Sequence, residues 1–75
     1  MAERDTKRFL KKLGQRIATQ RKAKMLTQEQ LADSANLNRN TIALIEAGQR
    51  GTTTPTLHRI VKAIGTSFEE IFRGM

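Results

Sequence analysis

Apolar residues recur at helical spacing along most of this chain, and the gaps between them divide it into short helical segments. Leu10, Leu13 and Ile17 form one apolar stripe with the period of an α-helix, which predicts a first helix over residues 6–24. The same pattern predicts further helices over residues 28–35, 39–47, 54–64 and 68–72. The pattern therefore indicates an all-α fold, with a single domain over residues 6–74 that follows a disordered N-terminus at residues 1–5.

Polar residues stand where these helices should begin. Thr27 and Gln30 have the spacing of a capping box, in which each side chain bonds a backbone N–H at the start of the second segment. Asn38 is in place to cap the third segment. Between them, Asn36 suits a turn residue with positive φ, because Asn tolerates that conformation better than most residues other than Gly. Further N-caps are expected at Thr54, with Pro55 in the first helical position, and at Ser67.

Residues 28–47 are the stretch around which the chain is organised, since they predict two short helices joined by a tight turn. Such a pair can place its second helix in the major groove of DNA. On a helical wheel Ile42 and Ile45 point inward, and the outer face carries no carboxylate. Asn and Arg can pair bidentately with adenine and guanine, and Leu or Ala can contact a thymine methyl group. We therefore expect base recognition by Arg39, Asn40, Thr41, Ala43 and Leu44.

The alternative for this stretch is an ordinary helix hairpin in a small bundle. In that case Arg39 and Asn40 would simply be exposed to solvent. The absence of Glu and Lys from the outer face favours the DNA-binding interpretation, because a merely solvated face more often carries them.

Three motifs in fixed order are similar to those of a known family. Residues 26–32 (LTQEQLA), 37–42 (LNRNTI) and 45–48 (IEAG) resemble the Cro/repressor type of helix-turn-helix protein, also called the XRE family. The resemblance covers residues 13–72, which is most of the chain. It implies a compact five-helix, phage-repressor-like DNA-binding domain whose partner is duplex DNA.

Two positions depart from the usual sequence of that family. It commonly has Gly where this chain has Met25, before the Leu-Thr-Gln run, and where it has Asn36, in the turn. If position 25 is left-handed, a Met there costs about 1 kcal/mol. Neither departure changes the expected fold.

Arg21 is a charged residue on the apolar stripe of the first helix. It follows Ile17 by four residues, so its side chain needs a partner. Glu46 lies beside Ile42 on the inward side of the second motif helix, and in the resembled family an Arg and a Glu at the matching positions form an ion pair. We predict an Arg21–Glu46 pair that fixes the docking angle of the motif; the alternative is two separately solvated side chains.

The positive charge of the chain is confined to its first third. The 75 residues carry a net charge of +7. Residues 1–27 hold nine Lys or Arg against two acids, whereas residues 28–75 hold five of each, so the whole excess lies on the first segment. This asymmetry predicts a polyanionic partner. A basic tail that only keeps a small protein in solution is the alternative.

The chain lacks the residues that several classes of function require. The chain has no Cys, and the single His58 has neither a second ligand for a metal nor a nucleophile beside it. No phosphate-cradling Gly loop and no apolar run long enough for a membrane span occurs. We therefore expect no enzyme activity, no cofactor, metal or small-molecule ligand, no membrane partner, and a location in the cytoplasm of a bacterium, associated with the nucleoid.

Residues around the motif are candidates for DNA phosphate contacts, and the last helix is a candidate for self-association. Phosphate contacts are expected from Arg16, Thr27, Gln28, Asn38, Gln49 and Arg50. The final helix has more apolar side chains than a short capping turn needs, so we expect Phe68, Ile71 and Phe72 to contribute to a two-fold dimer interface. The alternative is that these three residues only complete the core.

Together these features predict a sequence-specific, double-stranded DNA-binding transcription regulator, a repressor that binds a palindromic operator as a homodimer. Within that class the sequence leaves three types open: a controller of a restriction–modification system, a phage Cro or repressor protein, and an antitoxin. The alternative outside the class is a protein-binding adaptor on the same fold, with Leu44 as a hydrophobic anchor.

Overall fold

Five α-helices joined by short connections make up residues 2–75, the part of the chain that the computed structural model describes. They are α1 (Ala2–Ala23), α2 (Gln28–Ala35), α3 (Arg39–Glu46), α4 (Thr54–Ile64) and α5 (Phe68–Phe72). The predicted all-α, five-helix fold is confirmed. None of these helices has the length and apolar character needed to cross a lipid bilayer.

The first helix begins earlier than the sequence predicted. Residues 2–5, expected to be disordered, form the first turn of α1, while Met1 lies outside the described residues. Glu3 and Asp5 place negative charge at the positive end of the helix dipole. The hydroxyl of Thr6 donates to the Ala2 carbonyl oxygen at 2.8 Å, within the same turn. The prediction for residues 2–5 was wrong because the acidic side chains of the first turn, rather than an apolar stripe, favour the helix there.

One residue from each helix meets in the core. Ile17, Leu31, Ile42, Ile60 and Ile71 are the largest fully buried side chains, and they come from α1 to α5 in turn. Burial of a side chain of this size is worth about 1.5–3 kcal/mol. The core therefore depends on all five helices, and no helix can leave it without exposing a large apolar side chain.

Two glycines allow α1 to approach the end of α3. A Cβ on Gly14 would overlap the carbonyl groups of Ile45 and Glu46, so the backbones of α1 and α3 touch at this point. Just beyond α3, Gly48 has a φ of +74°, and a Cβ there would lie 2.6 Å from the Cα of Lys11. The end of α3 and the chain that follows it therefore pass directly over the middle of α1.

The turns and caps of the two-helix motif have the predicted chemistry. Thr27 and Gln30 form the capping box, with backbone-to-side-chain distances of 3.0 and 2.9 Å. Asn36 has a φ of 57°, in the left-handed region. Asn38 caps α3 by accepting a hydrogen bond from the backbone N–H of Asn40 at 2.7 Å. These contacts fix where α3 begins and how it leaves the turn.

The N-cap of α4 differs by one residue from the prediction. Thr53 is the cap, because its backbone is extended and its hydroxyl accepts from the N–H of Thr56. Thr54 is instead the first helical residue, followed by Pro55. Consecutive threonines can each serve as a cap, so the sequence alone could not choose between them.

Candidate nucleic-acid interface

The outer surface of α3 is exposed in part and half-buried in part. Ile42 and Ile45 are buried on the inner side of the helix, as predicted. The expected base-reading residues occupy the rest of its surface, with Arg39 and Asn40 exposed and Thr41, Ala43 and Leu44 half-buried. Ala47 follows as an exposed C-cap.

Thr41 and Arg39 lie at opposite flanks of that surface. Thr41 lines a groove of about 240 Å³ with the chain between α3 and α4, including Arg50 and Thr52. Arg39 lines a groove of about 500 Å³ at the start of α2, shared with Thr27 and other residues. Asn40 lies between the two flanks and points away from the core. By helical spacing, the three polar residues of the first turn of α3 therefore face three different directions, and Asn40 lies opposite the buried Ile42 and Ile45.

A buried network sets the position of α3. Arg21 Nε lies 2.7 Å from Glu46 Oε2 and its Nη2 lies 3.0 Å from Oε1, so the predicted ion pair is present and bidentate. The two side chains are only 10% and 6% exposed. Arg21 Nη1 also donates to the carbonyl oxygen of Leu26 at 2.7 Å. The network thus connects α1, the chain that follows it and α3.

Gln28 joins this network, which its predicted role did not include. Its side-chain nitrogen donates to Glu46 Oε1 at 3.1 Å. Gln28 is half-buried at the start of α2. One of its donors is therefore occupied, and its first role in the fold is to tie α2 to α3.

The chain after α3 carries two exposed polar side chains. Gln49 and Arg50 are both exposed, and the backbone N–H of Gln49 donates to the Leu44 carbonyl oxygen at 3.0 Å. That hydrogen bond holds the start of the loop against the end of α3. Gln49 and Arg50 therefore lie beside the outer face of α3, in agreement with a flanking contact.

Arg16 has a structural role that the sequence did not predict. Its Nε donates to the carbonyl oxygen of Ile71 at 3.1 Å, and its Nη2 donates to that of Glu70. The half-buried guanidinium thus holds carbonyl groups of α5. One signal for this role was available, because Arg16 follows Leu13 by three residues and so lies beside the core stripe. A guanidinium has further N–H donors, and the phosphate contact of Arg16 stays a prediction.

Of the three residues predicted for a dimer surface, one lies in the core, and the other two stack with two further rings. Ile71 is 0% exposed, so it belongs to the core and not to an interface. Phe68 and Phe72 are half-buried and stack on each other with ring centroids 6.4 Å apart. Phe9, which is 47% exposed, stacks on Phe72 at 6.3 Å, and His58 stacks on Phe68 at 6.1 Å. We call the four rings of Phe9, Phe72, Phe68 and His58 the aromatic row.

Arg59 has a structural role that the sequence did not reveal. Its Nε donates to the Ala35 carbonyl oxygen at 3.0 Å, and its Nη2 donates to that of Asn36. These are acceptors at the C-terminal end of α2, so Arg59 secures the turn between the two motif helices. Its sequence neighbours gave no signal, because the acceptors belong to a different helix.

Comparison with known proteins agrees with this geometry. A family model described as helix-turn-helix matches residues 17–71. The immunity repressor protein of Bacillus phage phi105 is 41% identical over 59 residues, which are 79% of this chain and 41% of that protein. This chain therefore spans about two fifths of the length of that relative.

The fold is similar to those of restriction–modification controller proteins. The crystal structure of C.AhdI from Aeromonas hydrophila has a TM-score of 0.82 at 35% identity, covering 84% of this chain and 96% of that one. Wild-type C.Esp1396I has a TM-score of 0.78 at 36% identity, with coverages of 84% and 82%. The C.Esp1396I tetramer in complex with its natural 35 base-pair operator has the same TM-score of 0.78, with coverages of 84% and 83%.

Proposed function

The chain belongs to the helix-turn-helix family of the Cro/repressor type, and from this premise we propose that it is a sequence-specific regulator of transcription. It binds duplex DNA with α3 in the major groove and acts as a repressor by occupying an operator. One observation carries the proposal: a short helix with an exposed outer face free of carboxylates is held rigidly through Glu46 to two other helices.

Base recognition is assigned to the outer face of α3. Asn40 points directly away from the core, so its amide can pair bidentately with an adenine edge. Ala43 and Leu44 offer small apolar contacts to thymine methyl groups beside it. Arg39 and Thr41, at the two flanks, reach base edges or phosphates on either side of Asn40.

Phosphate contacts set the register of α3 without reading sequence. Gln49 and Arg50 lie beside one end of the helix, and Thr27 and Asn38 lie near the N-termini of α2 and α3, where the helix dipole favours an anion. Gln28 keeps one side-chain N–H for a phosphate while its other N–H binds Glu46.

We further propose that the protein acts as a homodimer on a palindromic operator. Half-sites in such operators lie about 34 Å apart along the duplex. One copy of this chain measures 36 × 24 × 20 Å, so two copies on adjacent half-sites are large enough to touch across the two-fold axis. The aromatic row supplies the apolar surface for that contact. The structure of the C.Esp1396I tetramer in complex with its 35 base-pair operator supports the proposal that more than one copy of this chain binds an operator.

We propose that the protein binds DNA without catalysing a reaction, and that it does so in the cytoplasm, at the nucleoid. Of the three regulator types, the controller type is favoured, because C.AhdI is covered over 96% of its length, whereas the phage repressor is covered over 41%.

Selection from a random duplex library tests the proposal. The expected result is a two-fold symmetric consensus whose half-sites are one helical turn apart. Asn40→Ala should relax the preference at one position of each half-site, at a cost of about 1–3 kcal/mol in discrimination. Arg50→Ala should weaken binding to all sequences alike. It should also reduce the slope of log K against log salt by the amount expected for about one phosphate contact.

Two results would contradict the proposal. If selection returns no consensus, the protein does not read sequence, and a protein-binding adaptor becomes the better interpretation. If Asn40→Ala and Arg50→Ala cause the same uniform loss, the division between base and phosphate contacts is wrong. Sedimentation with and without DNA tests the dimer separately, and a strict monomer in both conditions would remove it.

A further inference from the structure

The N-terminal half of α1 lies outside the region that the family model matches, which begins at residue 17. This half carries five basic side chains, all exposed: Arg4, Lys7, Arg8, Lys11 and Lys12. The ion pairs found within residues 2–75 are Arg21–Glu46 and Arg73–Glu70, so none of these five side chains has a carboxylate within 4.0 Å in the described part of the chain. Glu3 and Asp5 lie on the same stretch, and Glu3 precedes Lys7 by four residues on the same face, so five basic and two acidic side chains leave this half with a net charge of +3.

Contacts on α1 show which of its sides faces which neighbour. Gly14 touches the end of α3, and Lys11 touches Gly48 just beyond it. On the other side, Arg16 holds the carbonyl groups of α5 and Phe9 stacks on Phe72. Helix α1 therefore lies between α3 and α5, with one side turned toward each.

Three basic residues share the side turned toward α3. Lys7 precedes Lys11 by four residues and Arg4 precedes Lys7 by three, so the three side chains follow one another along one face. We call this set the basic ridge. Lys12 lies on the other side of the same helix, where it lines a groove with Phe9 and Met75.

The basic ridge continues from the loop that flanks the recognition helix. Lys11 packs against Gly48, which immediately precedes Gln49 and Arg50 in the chain. From Lys11 the ridge runs toward the N-terminus as far as Arg4, a rise of about 10 Å along the helix. Phosphates on one DNA strand follow one another at about 3.4 Å along the duplex axis, so the ridge is long enough for two or three of them.

We propose that the basic ridge of Arg4, Lys7 and Lys11 is a second phosphate-binding surface, which contacts the DNA backbone beyond the phosphates reached by Gln49 and Arg50. This inference rests on the proposed function. Lys suits the role because its ammonium group is a flexible point charge that binds phosphate without a fixed geometry. The ridge adds affinity for DNA of any sequence, and it leaves base discrimination to α3.

The salt dependence of DNA binding tests the proposal with a matched control. The test variant is Lys7→Gln/Lys11→Gln, and the control is Lys12→Gln/Lys62→Gln, which removes the same charge from exposed positions outside the ridge. Binding to a random-sequence duplex of about 30 base pairs, roughly three helical turns, is measured over a range of salt concentrations. If both lysines bind phosphate, the slope of log K against log salt falls by about 1.8 in the test variant. Affinity near 0.15 M salt then falls by up to about thirty-fold, while the control changes far less.

A chemical probe tests the location directly. The chain has no Cys, so Lys7→Cys and Lys12→Cys each create a single attachment point for a DNA-cleaving reagent. The proposal expects strand cleavage from position 7 and little from position 12. Equal cleavage from both positions, or an equal change of slope in test and control, would show a solvated positive face and overturn the proposal.

The outcome is separable from that of the proposed function. A protein that fails to select any DNA sequence refutes the regulator proposal, whatever the ridge does. A protein that selects an operator but shows an unchanged salt slope in Lys7→Gln/Lys11→Gln refutes only the ridge.

Discussion

Removal of Glu46 should show how much the fold depends on one buried carboxylate. In Glu46→Ala, Arg21 loses both of its hydrogen bonds to Glu46, at 2.7 and 3.0 Å, and keeps only the one to the Leu26 carbonyl. Its side chain is 10% exposed, so most of the guanidinium stays buried without its carboxylate partner. Breaking a buried pair from one side typically costs about 3–5 kcal/mol.

That loss is large compared with the stability expected for a domain of this size. At about 0.05–0.15 kcal/mol per residue, a chain of this length has a free energy of unfolding of roughly 4–11 kcal/mol. Glu46→Ala should therefore lower the midpoint of thermal unfolding by at least about 12 °C, and part of the protein should be unfolded at room temperature if the native value is low. Urea unfolding followed by circular dichroism measures the free energy.

Two further variants separate the buried pair from a general effect of lost charge. Glu70→Ala removes the exposed Arg73–Glu70 pair, whose side chains are 64% and 43% exposed, and should cost less than about 1 kcal/mol. Arg21→Met/Glu46→Leu replaces both buried charges by apolar groups and should recover most of the stability lost in Glu46→Ala. The reasoning is refuted if Glu46→Ala costs no more than Glu70→Ala, or if the double variant is no more stable than Glu46→Ala.

Three other substitutions test single contacts by the same unfolding measurement. Met25→Gly should raise the free energy of unfolding by roughly 0.5–1 kcal/mol. Met25 is 90% exposed at a φ of 61°, and relief of this left-handed conformation outweighs the entropy that Gly adds to the unfolded chain. If the free energy does not rise, the left-handed Met is unstrained. Gly14→Ala should cost about 1–3 kcal/mol, because the new methyl group overlaps the α3 carbonyls. The control Gln15→Ala, at an exposed neighbouring position, should be nearly neutral. Equal effects of the two substitutions would show that α1 can move away from α3. Arg16→Met should cost about 1–3 kcal/mol by leaving the Ile71 and Glu70 carbonyls without their donor. The same variant tests the predicted phosphate contact of Arg16, because loss of that contact reduces the salt dependence of DNA binding and an unchanged slope would remove Arg16 from the phosphate contacts.

Contacts within the two-helix motif were predictable because they are local or follow from spacing. The Thr27–Gln30 capping box spans three residues, so its chemistry is complete in the sequence. The Arg21–Glu46 pair joins two helices, α1 and α3, but each residue follows a buried isoleucine of its own helix by four positions, Ile17 for Arg21 and Ile42 for Glu46. A charge on an inward face requires a partner. Glu46 lay on the inward side of α3, and the resembled family has an ion pair at the matching positions.

Contacts to backbone carbonyls were not predictable in the same way. Arg16 and Arg59 both bind carbonyl groups at helix ends that are distant in sequence. Every residue has a carbonyl, so the sequence contains no sign of which one is left unpaired near a given guanidinium. Only the path of α5 past α1, and of α4 past α2, determines these partners. For this reason the sequence did not reveal the structural roles of Arg16 and Arg59.

Glu46 contributes both to the stability of the fold and to the orientation of α3. An isolated helix of eight residues is unstable in water, so α3 exists only because Ile42 and Ile45 are buried. Burial of apolar area is non-directional and leaves the helix free to rotate or slide by small amounts without much cost. The bidentate bond from Arg21 and the bond from Gln28 are directional, and they approach the same carboxylate from α1 and α2. The proposed bidentate contact between Asn40 and a base would tolerate only a small displacement. Apolar burial can keep α3 folded, and we infer that this polar network holds it at the angle that such a contact needs.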